Sequence, residues 1–239
     1  MMRLEIDAGN TFLKWRLMDA QRLVESNSIL TKDFKAQSMA SLATYAVQQI
    51  LVGSVAGVEN NHQVQAACIS LWGIDPIFAK TSNNCAGVKN SYLDASKMGV
   101  DRWLAMIAAY KKVNRSVIVV DCGSAITVDY VSAKGVHQGG YIIPGLRLMR
   151  ESLLRNTAQV RFDQDHTGMA MRPGVNTTEA VMHGCSYLFQ SLAHSLKDEA
   201  DAETELFITG GDGELMHSMM ASGLFEPDLV MEGLVWVCR

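Results

Sequence analysis

The sequence predicts an α/β fold in which two related halves each carry a mixed β-sheet. Strand-like apolar runs and segments with helical spacing occur in both halves. One apolar run ends in Asp7-Ala-Gly9, and a second ends in Asp121-Cys-Gly123 about half a chain later. Each turn is followed by a hydroxyl residue and a further β-rich segment. We therefore expect a duplicated fold with subdomains at residues 1–113 and 114–239.

The composition is that of a soluble globular protein. The chain has 239 residues, of which 48% are hydrophobic and 19% are charged, enough for a substantial core. A formal net charge of −4 argues against a nucleic-acid partner. We see neither a signal-peptide pattern nor a run of about 18 apolar residues, so we expect a cytoplasmic protein without a membrane partner. The five cysteines form no C-x-x-C pair, which favours reduced thiols over structural zinc.

The N-terminal half should begin with strands and end with a helix. Apolar runs flank the first turn, so residues 2–18 form a predicted hairpin. Residues 101–112 form a predicted helix, because Trp103, Met106 and Ile107 have i, i+3, i+4 spacing. In chain order the other predicted elements are a strand at 23–29, a helix at 38–50, a buried strand at 50–55, weaker strand candidates at 65–71 and 77–78, and a long loop at 83–100.

The C-terminal half repeats this logic around the second turn. The helix at 177–196 is predicted from an apolar stripe of Val181, Cys185, Leu188 and Leu192. In chain order the predicted elements are strands at 117–120 and 126–130, a turn at Gly135, helices at 147–154 and 177–196, a strand at 206–209 and a Met-rich helix.

Both Asp-x-Gly turns have the composition of a phosphate-binding turn. Backbone N–H groups and polar side chains such as Asn10 and Thr11 can hold phosphate oxygens. The carboxylate at the strand end can hold a cation that offsets the phosphate charge. The ordinary alternative for one such turn is a simple hairpin. Cys122 in the second turn could be a nucleophile, but we favour a small residue that fills the middle position.

An acid and a base stand side by side in Gly99-Val100-Asp101-Arg102, where the long loop becomes a helix. Two interpretations are open from the spacing alone. Asp101 could be a helix N-cap with Arg102 as a solvated neighbour. Alternatively, Asp101 is a general base that takes a hydroxyl proton, and Arg102 fixes an anionic substrate.

Six motifs in order give the sequence a specific resemblance. The two Asp-x-Gly turns resemble those of the acetate and sugar kinase, heat-shock ATPase and actin superfamily. The whole set is similar to the type III pantothenate kinase family. The motifs are Asp7-x-Gly-Asn-Thr11, Gly99-x-Asp-Arg102, Asp121-x-Gly-Ser-Ala-x-Thr127, Gly140-x-Ile-x-Pro-Gly145, Asn176-Thr177 and Thr209-Gly-Gly211.

The resemblance implies a fold, an activity and partners. The implied fold is a duplicated actin-like ATPase fold, also called ribonuclease H-like, with an interdomain nucleotide cleft. The implied activity is phosphorylation of pantothenate by ATP to 4′-phosphopantothenate, the first step of coenzyme A synthesis. It also implies a homodimer that uses Mg²⁺ with ATP and a monovalent cation, K⁺ or NH₄⁺.

The resemblance also assigns roles to residues that match the family's motifs. Asp101 would be the catalytic base, Asp121 would bind the monovalent cation, and Asp7 would lie near the metal–phosphate cluster. The residues implied to bind pantothenate are Tyr92, Gly99, Val100, Asp101, Arg102 and Thr177. The residues implied to bind ATP are Asp7, Ala8, Gly9, Asn10, Thr11, Phe12, Leu13, Lys14, Ser124, Gly210 and Gly211.

Simpler roles stay open for several of these residues. Tyr92 could be a half-buried loop residue, and Thr177 or Thr178 could cap a helix. Lys14 could face solvent on an edge strand, and Gly210 with Gly211 could form only a strand-to-helix turn. Two other functions also stay open: a different small-molecule kinase of the superfamily, and an accessory factor in transcription.

Overall fold

The computed structural model describes residues 1–156 and 170–238. The chain forms two compact units. Unit 1 comprises Met1–Asn114, Lys134–His137 and Asp228–Arg239, and unit 2 comprises Arg115–Ala133 and Gln138–Pro227. The C-terminal segment thus belongs to unit 1. A single boundary between residues 113 and 114 would place this segment in the C-terminal subdomain instead. That boundary between functional subdomains stays a prediction.

The described residues alternate between strands and helices. In chain order the strands are β1 (Met2–Ala8), β2 (Phe12–Asp19), β3 (Arg22–Leu30), β4 (Gln49–Ser54), β5 (Ile77–Phe78), β6 (Asn84–Cys85), β7 (Val88–Lys89), β8 (Ser116–Cys122), β9 (Ala125–Val131), β10 (His137–Pro144), β11 (Thr204–Thr209) and β12 (Leu224–Phe225). The α-helices are α1 (Val58–Trp72), α2 (Val100–Val113), α3 (Leu146–Asn156), α4 (Thr177–Glu199), α5 (Gly213–Met220) and α6 (Leu229–Val237).

Each unit contains a five-stranded mixed sheet, and the two sheets have the same strand order. In unit 1 the order is β3-β2-β1-β4-β5, and in unit 2 it is β10-β9-β8-β11-β12. The strand before each Asp-x-Gly turn pairs antiparallel with the next strand in sequence and parallel with β4 or β11. The predicted α/β fold with a mixed sheet in each half is therefore confirmed.

Strand β1 shows how the sheet of unit 1 separates apolar from charged side chains. Successive side chains of a strand point to opposite faces. Leu4, Ile6 and Ala8 are fully buried in the core of unit 1. The alternate residues include Glu5, which is also fully buried and accepts hydrogen bonds from Arg3 Nε (2.7 Å) and Arg16 Nε (2.6 Å). The face of β1 that bears Asp7 therefore carries an ordered network of charges.

The structure corrects two predicted elements of unit 1. Residues 38–50 do not form one helix, because a 3₁₀ helix spans Ala36–Thr44 and β4 begins at Gln49. Residues 65–71 are not a strand but part of α1, which buries Val64, Ala67 and Cys68 at i, i+3, i+4 spacing. A short apolar run does not distinguish a strand from a buried helix face, and this ambiguity caused the second error.

The apolar stripe predicted for α4 does not coincide with the face that the helix buries. Leu188 is 58% exposed, whereas Met182, Cys185 and Phe189 are buried. The helix therefore turns its Leu188 side outward and buries the face that contains Phe189. Within the described residues, none of the helices is both long enough and apolar enough to cross a membrane.

Candidate active site

The first Asp-x-Gly turn joins β1 to β2, and Thr31 holds it through two hydrogen bonds. The backbone N–H of Gly9 donates to the Phe12 carbonyl oxygen at 3.0 Å and closes the turn. The hydroxyl of Thr31, a buried residue just after β3, donates to the Gly9 carbonyl oxygen at 2.7 Å. The Thr31 N–H donates to the Thr11 carbonyl oxygen at 2.9 Å. Sequence reasoning missed Thr31, because its link to the turn depends on strand pairing.

Asp7 lies in an environment that disfavours its ionised form. Burial raises its pKa to about 6, and the negative charges of Asp101 and Asp228 contribute to the rise. Lys14, the cross-strand partner of Asp7, opposes the rise. A carboxylate with this environment fits a site for a cation, because a positive charge would relieve the repulsion.

Lys14 does not lie on an edge strand. Strand β2 runs between β1 and β3 in the sheet, and the Lys14 side chain is half-buried beside Asp7. The edge-strand interpretation of Lys14 is therefore wrong. Its position next to Asp7 is compatible with the predicted role at the phosphates.

Asp228 is a charged neighbour of this region that sequence reasoning missed. It immediately precedes α6, and its Oδ2 accepts a hydrogen bond from Arg16 Nη1 at 3.0 Å. Arg16 also donates to buried Glu5, so one guanidinium joins two carboxylates. The one available signal was an acidic residue after Pro227, at the expected start of an apolar helix.

The Gly99–Arg102 motif forms the start of α2, with Asp101 inside the helix. The N-cap residue is Gly99, and Asp101 is the second helical residue. The Asp101 carboxylate accepts a hydrogen bond from the Arg102 N–H at 2.8 Å. A Cβ atom on residue 99 would lie 2.5 Å from Asp101 Oδ1, so glycine permits this close approach. The N-cap interpretation of Asp101 is therefore wrong.

Arg102 is buried and contacts Tyr92. Its side chain is not a solvated neighbour of Asp101, since only 6% of the residue is exposed. Arg102 Nη1 donates to the Tyr92 hydroxyl at 3.0 Å, and Arg102 Cζ lies 5.8 Å from the Tyr92 ring centroid. The structure thus brings together three predicted substrate residues: Tyr92, Asp101 and Arg102. Tyr92 is half-buried, as the simpler interpretation expected, but it has a specific partner.

The second turn in unit 2 has a comparable construction. The backbone N–H of Gly123 donates to the Ala125 carbonyl oxygen at 3.1 Å. The Asp212 N–H donates to the Cys122 carbonyl oxygen at 2.9 Å, and the Gly145 N–H donates to the Ser124 carbonyl oxygen at 3.1 Å. Residue 124 is exposed. Segments after β10 and β11 therefore support the second turn, as Thr31 supports the first.

Two adjacent glycines follow β11 beside Asp121. Gly210 has a φ of +90°, and a Cβ atom there would collide with Asp121 Oδ1 and with the Cys122 backbone. A Cβ atom on Gly211 would meet no atom within 4 Å. The pair does form a strand-to-helix turn, since α5 begins at Gly213. Its predicted contact with the nucleotide stays a prediction.

Cys122 has the structural role that the sequence favoured. The thiol is buried, and burial together with the charges of Asp121 and Asp212 raises its pKa well above the usual range. A thiol with a raised pKa stays protonated and is a poor nucleophile. Cys122 is therefore a small residue that fills the turn.

Thr177 is the first residue of α4 and is exposed. The helix is capped by Asn176, whose Oδ1 accepts a hydrogen bond from the Glu179 N–H at 2.9 Å. Glu179 completes the cap by accepting from the Val175 N–H at 3.2 Å. The interpretation of Thr177 or Thr178 as the cap is therefore wrong. The Thr177 side chain is not needed for the cap.

The fold and the two turns define the class of protein. Solved structures agree with this fold at low sequence identity. A Campylobacter jejuni protein described as a Baf family transcriptional activator has a TM-score of 0.60 at 21% identity, covering 98% of this chain and 96% of that one. A Sinorhizobium meliloti protein described as a 2-dehydro-3-deoxygalactonokinase has a TM-score of 0.56 at 12% identity, covering 98% and 94%. The chain has the duplicated fold of the actin-like ATPase and kinase superfamily.

Sequence comparison narrows the class to one family. A family model described as type III pantothenate kinase matches residues 3–198. A type III pantothenate kinase from Pseudomonas aeruginosa (strain LESB58) is 35% identical over 245 residues, which cover 99% of each chain. The chain belongs to the type III pantothenate kinase family. The recognition made from six sequence motifs is confirmed.

Proposed function

We propose that this protein phosphorylates the 4′-hydroxyl of pantothenate with ATP, with Asp101 as the general base. Membership of the family supports the reaction, and the start of α2 supports the assignment of the base. Asp101 lies there beside buried Arg102, which in turn holds Tyr92. A carboxylate next to a fixed cation is a suitable arrangement for a substrate that has both a hydroxyl and a carboxylate.

Each substrate-binding residue has a distinct role in this proposal. Arg102 pairs with the pantothenate carboxylate, and its contact with Tyr92 keeps the guanidinium in one orientation. The Gly99 and Val100 backbone borders the same substrate. Thr177 adds a hydroxyl contact. Asp101 accepts the proton of the attacking hydroxyl as that oxygen bonds to the γ-phosphorus, and the bond between the γ-phosphorus and the β,γ-bridging oxygen breaks to release ADP.

The two Asp-x-Gly turns bind the phosphates of ATP. Residues 7–14 supply the first turn and its strand, and Ser124, Gly210 and Gly211 act at the second. Asp7 fits a place near Mg²⁺ because burial, together with the neighbouring carboxylates, disfavours its uncompensated negative charge. Asp121 holds the monovalent cation, K⁺ or NH₄⁺. These cations supply charge neutralisation for the phosphates, while the protein supplies position.

The carboxylates of Asp7 and Asp121 fit cations that take most of their ligands from nucleotide phosphates and water. Among the described residues, no three His, Cys, Asp or Glu side chains form a group that could hold a metal ion. Mg²⁺ bound with a nucleotide usually takes one or two carboxylates together with phosphate oxygens and water. A single Asp at each turn is consistent with this pattern.

The proposal includes a homodimer in the cytoplasm. Tyr187 and Leu188 are each 58% exposed on the outward side of α4. Adjacent large apolar side chains of this exposure support a protein interface. A second copy of the chain is the partner that the family resemblance implies, and the net charge of −4 gives no support for nucleic acid.

Pantothenate-dependent ADP release tests the proposed function. The assay contains Mg-ATP and is run in potassium buffer and in sodium buffer at equal ionic strength. We expect ADP release that requires pantothenate and that falls sharply in sodium. ATP binding without pantothenate-dependent turnover would contradict the proposed substrate and favour another small-molecule kinase. Equal rates in both buffers would contradict the monovalent-cation site.

A further inference from the structure

We propose that His137 is a positioning residue that holds the substrate loop, defined here as residues 90–92, so that Tyr92 stays in contact with Arg102. This inference rests on the proposed function, because it assigns Tyr92 to the pantothenate site. His137 was not among the sequence-predicted site residues. It lies 45 positions after Tyr92 in the sequence, so that only the fold reveals their proximity.

His137 is buried and bonded to the substrate loop. It is 1% exposed, although histidine carries polar ring nitrogens that are costly to bury without partners. Its Nδ1 lies 2.8 Å from the Ser91 hydroxyl, at hydrogen-bond distance. The His137 and Tyr92 ring centroids are 6.2 Å apart. The imidazole therefore contacts the loop at Ser91 and lies close to the side chain that follows.

The substrate loop has a second anchor on its N-terminal side. The Asn90 N–H donates to the Asn83 carbonyl oxygen at 2.8 Å, and Asn90 Oδ1 accepts from the Tyr92 N–H at 2.9 Å. Asn90 is buried. This anchor fixes the loop backbone at Asn90 and at the Tyr92 N–H, and neither bond involves the Tyr92 ring.

The chain segment that carries His137 is itself tied to unit 1. The Lys89 N–H donates to the Gly135 carbonyl oxygen at 2.8 Å, and Lys89 forms a parallel bridge with Val136. Gly135 has a φ of +74° and packs against Gly87, where a Cβ atom would collide with the Gly87 carbonyl oxygen. The imidazole therefore has a fixed support, which a positioning role requires.

The residue that follows the substrate loop, Leu93, does not hold the loop against the core, because it is fully exposed. The Asn90 anchor thus places the loop backbone, while the His137–Ser91 contact and Arg102 place the Tyr92 side chain. Loss of the His137–Ser91 contact should let the ring move, and Arg102 would lose a partner that orients it.

The expected kinetic effect is selective for pantothenate. His137→Leu removes the ring nitrogen but keeps an apolar side chain, whereas His137→Asn can place a polar atom near the Nδ1 position. We expect His137→Leu to raise KM for pantothenate about fivefold to tenfold, the range for one lost hydrogen bond. KM for ATP should stay unchanged, and His137→Asn should restore most of the affinity for pantothenate.

The partner residue supplies an independent check. Ser91→Ala should raise KM for pantothenate by a similar factor, and the double variant with His137→Leu should be no worse than either single variant. His62→Gln is the control, since His62 is an exposed histidine on α1. Equal increases of both KM values, or additive effects of the two substitutions, would overturn the positioning role.

Hydrogen exchange separates this inference from the proposed function. Peptides that contain residues 90–92 should exchange faster in His137→Leu than in the unsubstituted protein or in His137→Asn. If exchange rises as expected but no protein variant phosphorylates pantothenate, the proposed function fails and the positioning of the loop stands. If neither exchange nor KM changes in His137→Leu, the inference fails whatever the substrate is.

Discussion

At the scale of single residues, the start of α2 gives the sharpest prediction. Asp101→Asn keeps the shape of the side chain and a hydrogen-bond acceptor for the Arg102 N–H, but it cannot accept the substrate proton. We expect turnover to fall by roughly 10²-fold or more, while the affinity for ATP is unchanged. Coupled ADP release measures the first quantity and calorimetry the second.

The control for this substitution is Asp75→Asn. Asp75 is an exposed carboxylate of unit 1 that accepts a hydrogen bond from Gln65, and it is not one of the proposed site residues. It should keep the turnover of the unsubstituted protein. A near-normal rate in Asp101→Asn would remove Asp101 from the role of base.

The raised pKa of Asp7 makes a prediction about stability. Its folded pKa is about 6, compared with 3.8 for the unperturbed group, so between these pH values the folded state binds more protons than the unfolded state. The free energy of unfolding therefore falls as pH rises through this window. Above the window, the full cost of holding Asp7 ionised in the folded state is present. Asp7→Asn removes this cost and should stabilise unit 1 by roughly 1–3 kcal/mol at pH 8.

Tryptophan fluorescence during urea unfolding measures this effect in unit 1. All four tryptophans, at positions 15, 72, 103 and 236, belong to this unit. The experiment is done without divalent metal ions, and the gain in stability should shrink as pH falls to about 4. Asp33→Asn, at an exposed carboxylate, is the control. If Asp7→Asn is no more stable than the unsubstituted protein at pH 8, ionised Asp7 does not destabilise the folded state and this prediction is wrong.

At the scale of elements, the second turn depends on the two glycines after β11. Gly210→Ala forces a Cβ atom into Asp121 and the Cys122 backbone at a φ that disfavours alanine. We expect a loss of roughly 1–3 kcal/mol in stability and faster hydrogen exchange in β8 and β11. Gly211→Ala enters open space and should leave exchange unchanged, although it lowers affinity for ATP if the nucleotide approaches there. Equal exchange in both variants would contradict the tight packing at Gly210.

Local signals explain which elements the sequence could predict. The hairpin at the first turn and the strands β8 and β9 were predicted because each Asp-x-Gly turn is bounded by apolar runs. Helix α1 was missed because its short apolar run also fits a strand. The contact of Asp228 with Arg16 could not be predicted, because 212 positions separate the two residues and only the return of α6 to unit 1 joins them.

The same distinction applies to the candidate site. Asp101, Arg102 and Tyr92 were found through motifs, and the structure adds that Arg102 is buried and bonded to Tyr92. Thr31 and His137 were not found, since their roles depend on contacts between distant segments. Motifs therefore indicated the candidate substrate residues, while the contacts made by Thr31 and His137 could be seen only in the fold.

At the scale of the whole molecule, the outward side of α4 predicts self-association. Gly184, Tyr187, Leu188 and Ser191 have i, i+3, i+4, i+7 spacing, and all four are exposed. Tyr187 and Leu188 therefore lie beside Gly184, where a Cβ atom would meet no other atom within 4 Å. A second copy of the chain could bury these side chains, and each fully buried leucine contributes about 1.5–3 kcal/mol.

Light scattering after size-exclusion chromatography tests this prediction. The unsubstituted protein should have twice the chain mass of 26.2 kDa. Leu188→Lys should dissociate the dimer, because the substitution would bury an unpaired charge in the interface. Ile69→Lys is the matched control, since Ile69 is a half-exposed apolar residue on α1 in unit 1, and this variant should stay dimeric. A Leu188→Lys protein that keeps twice the chain mass would exclude this side of α4 from the interface.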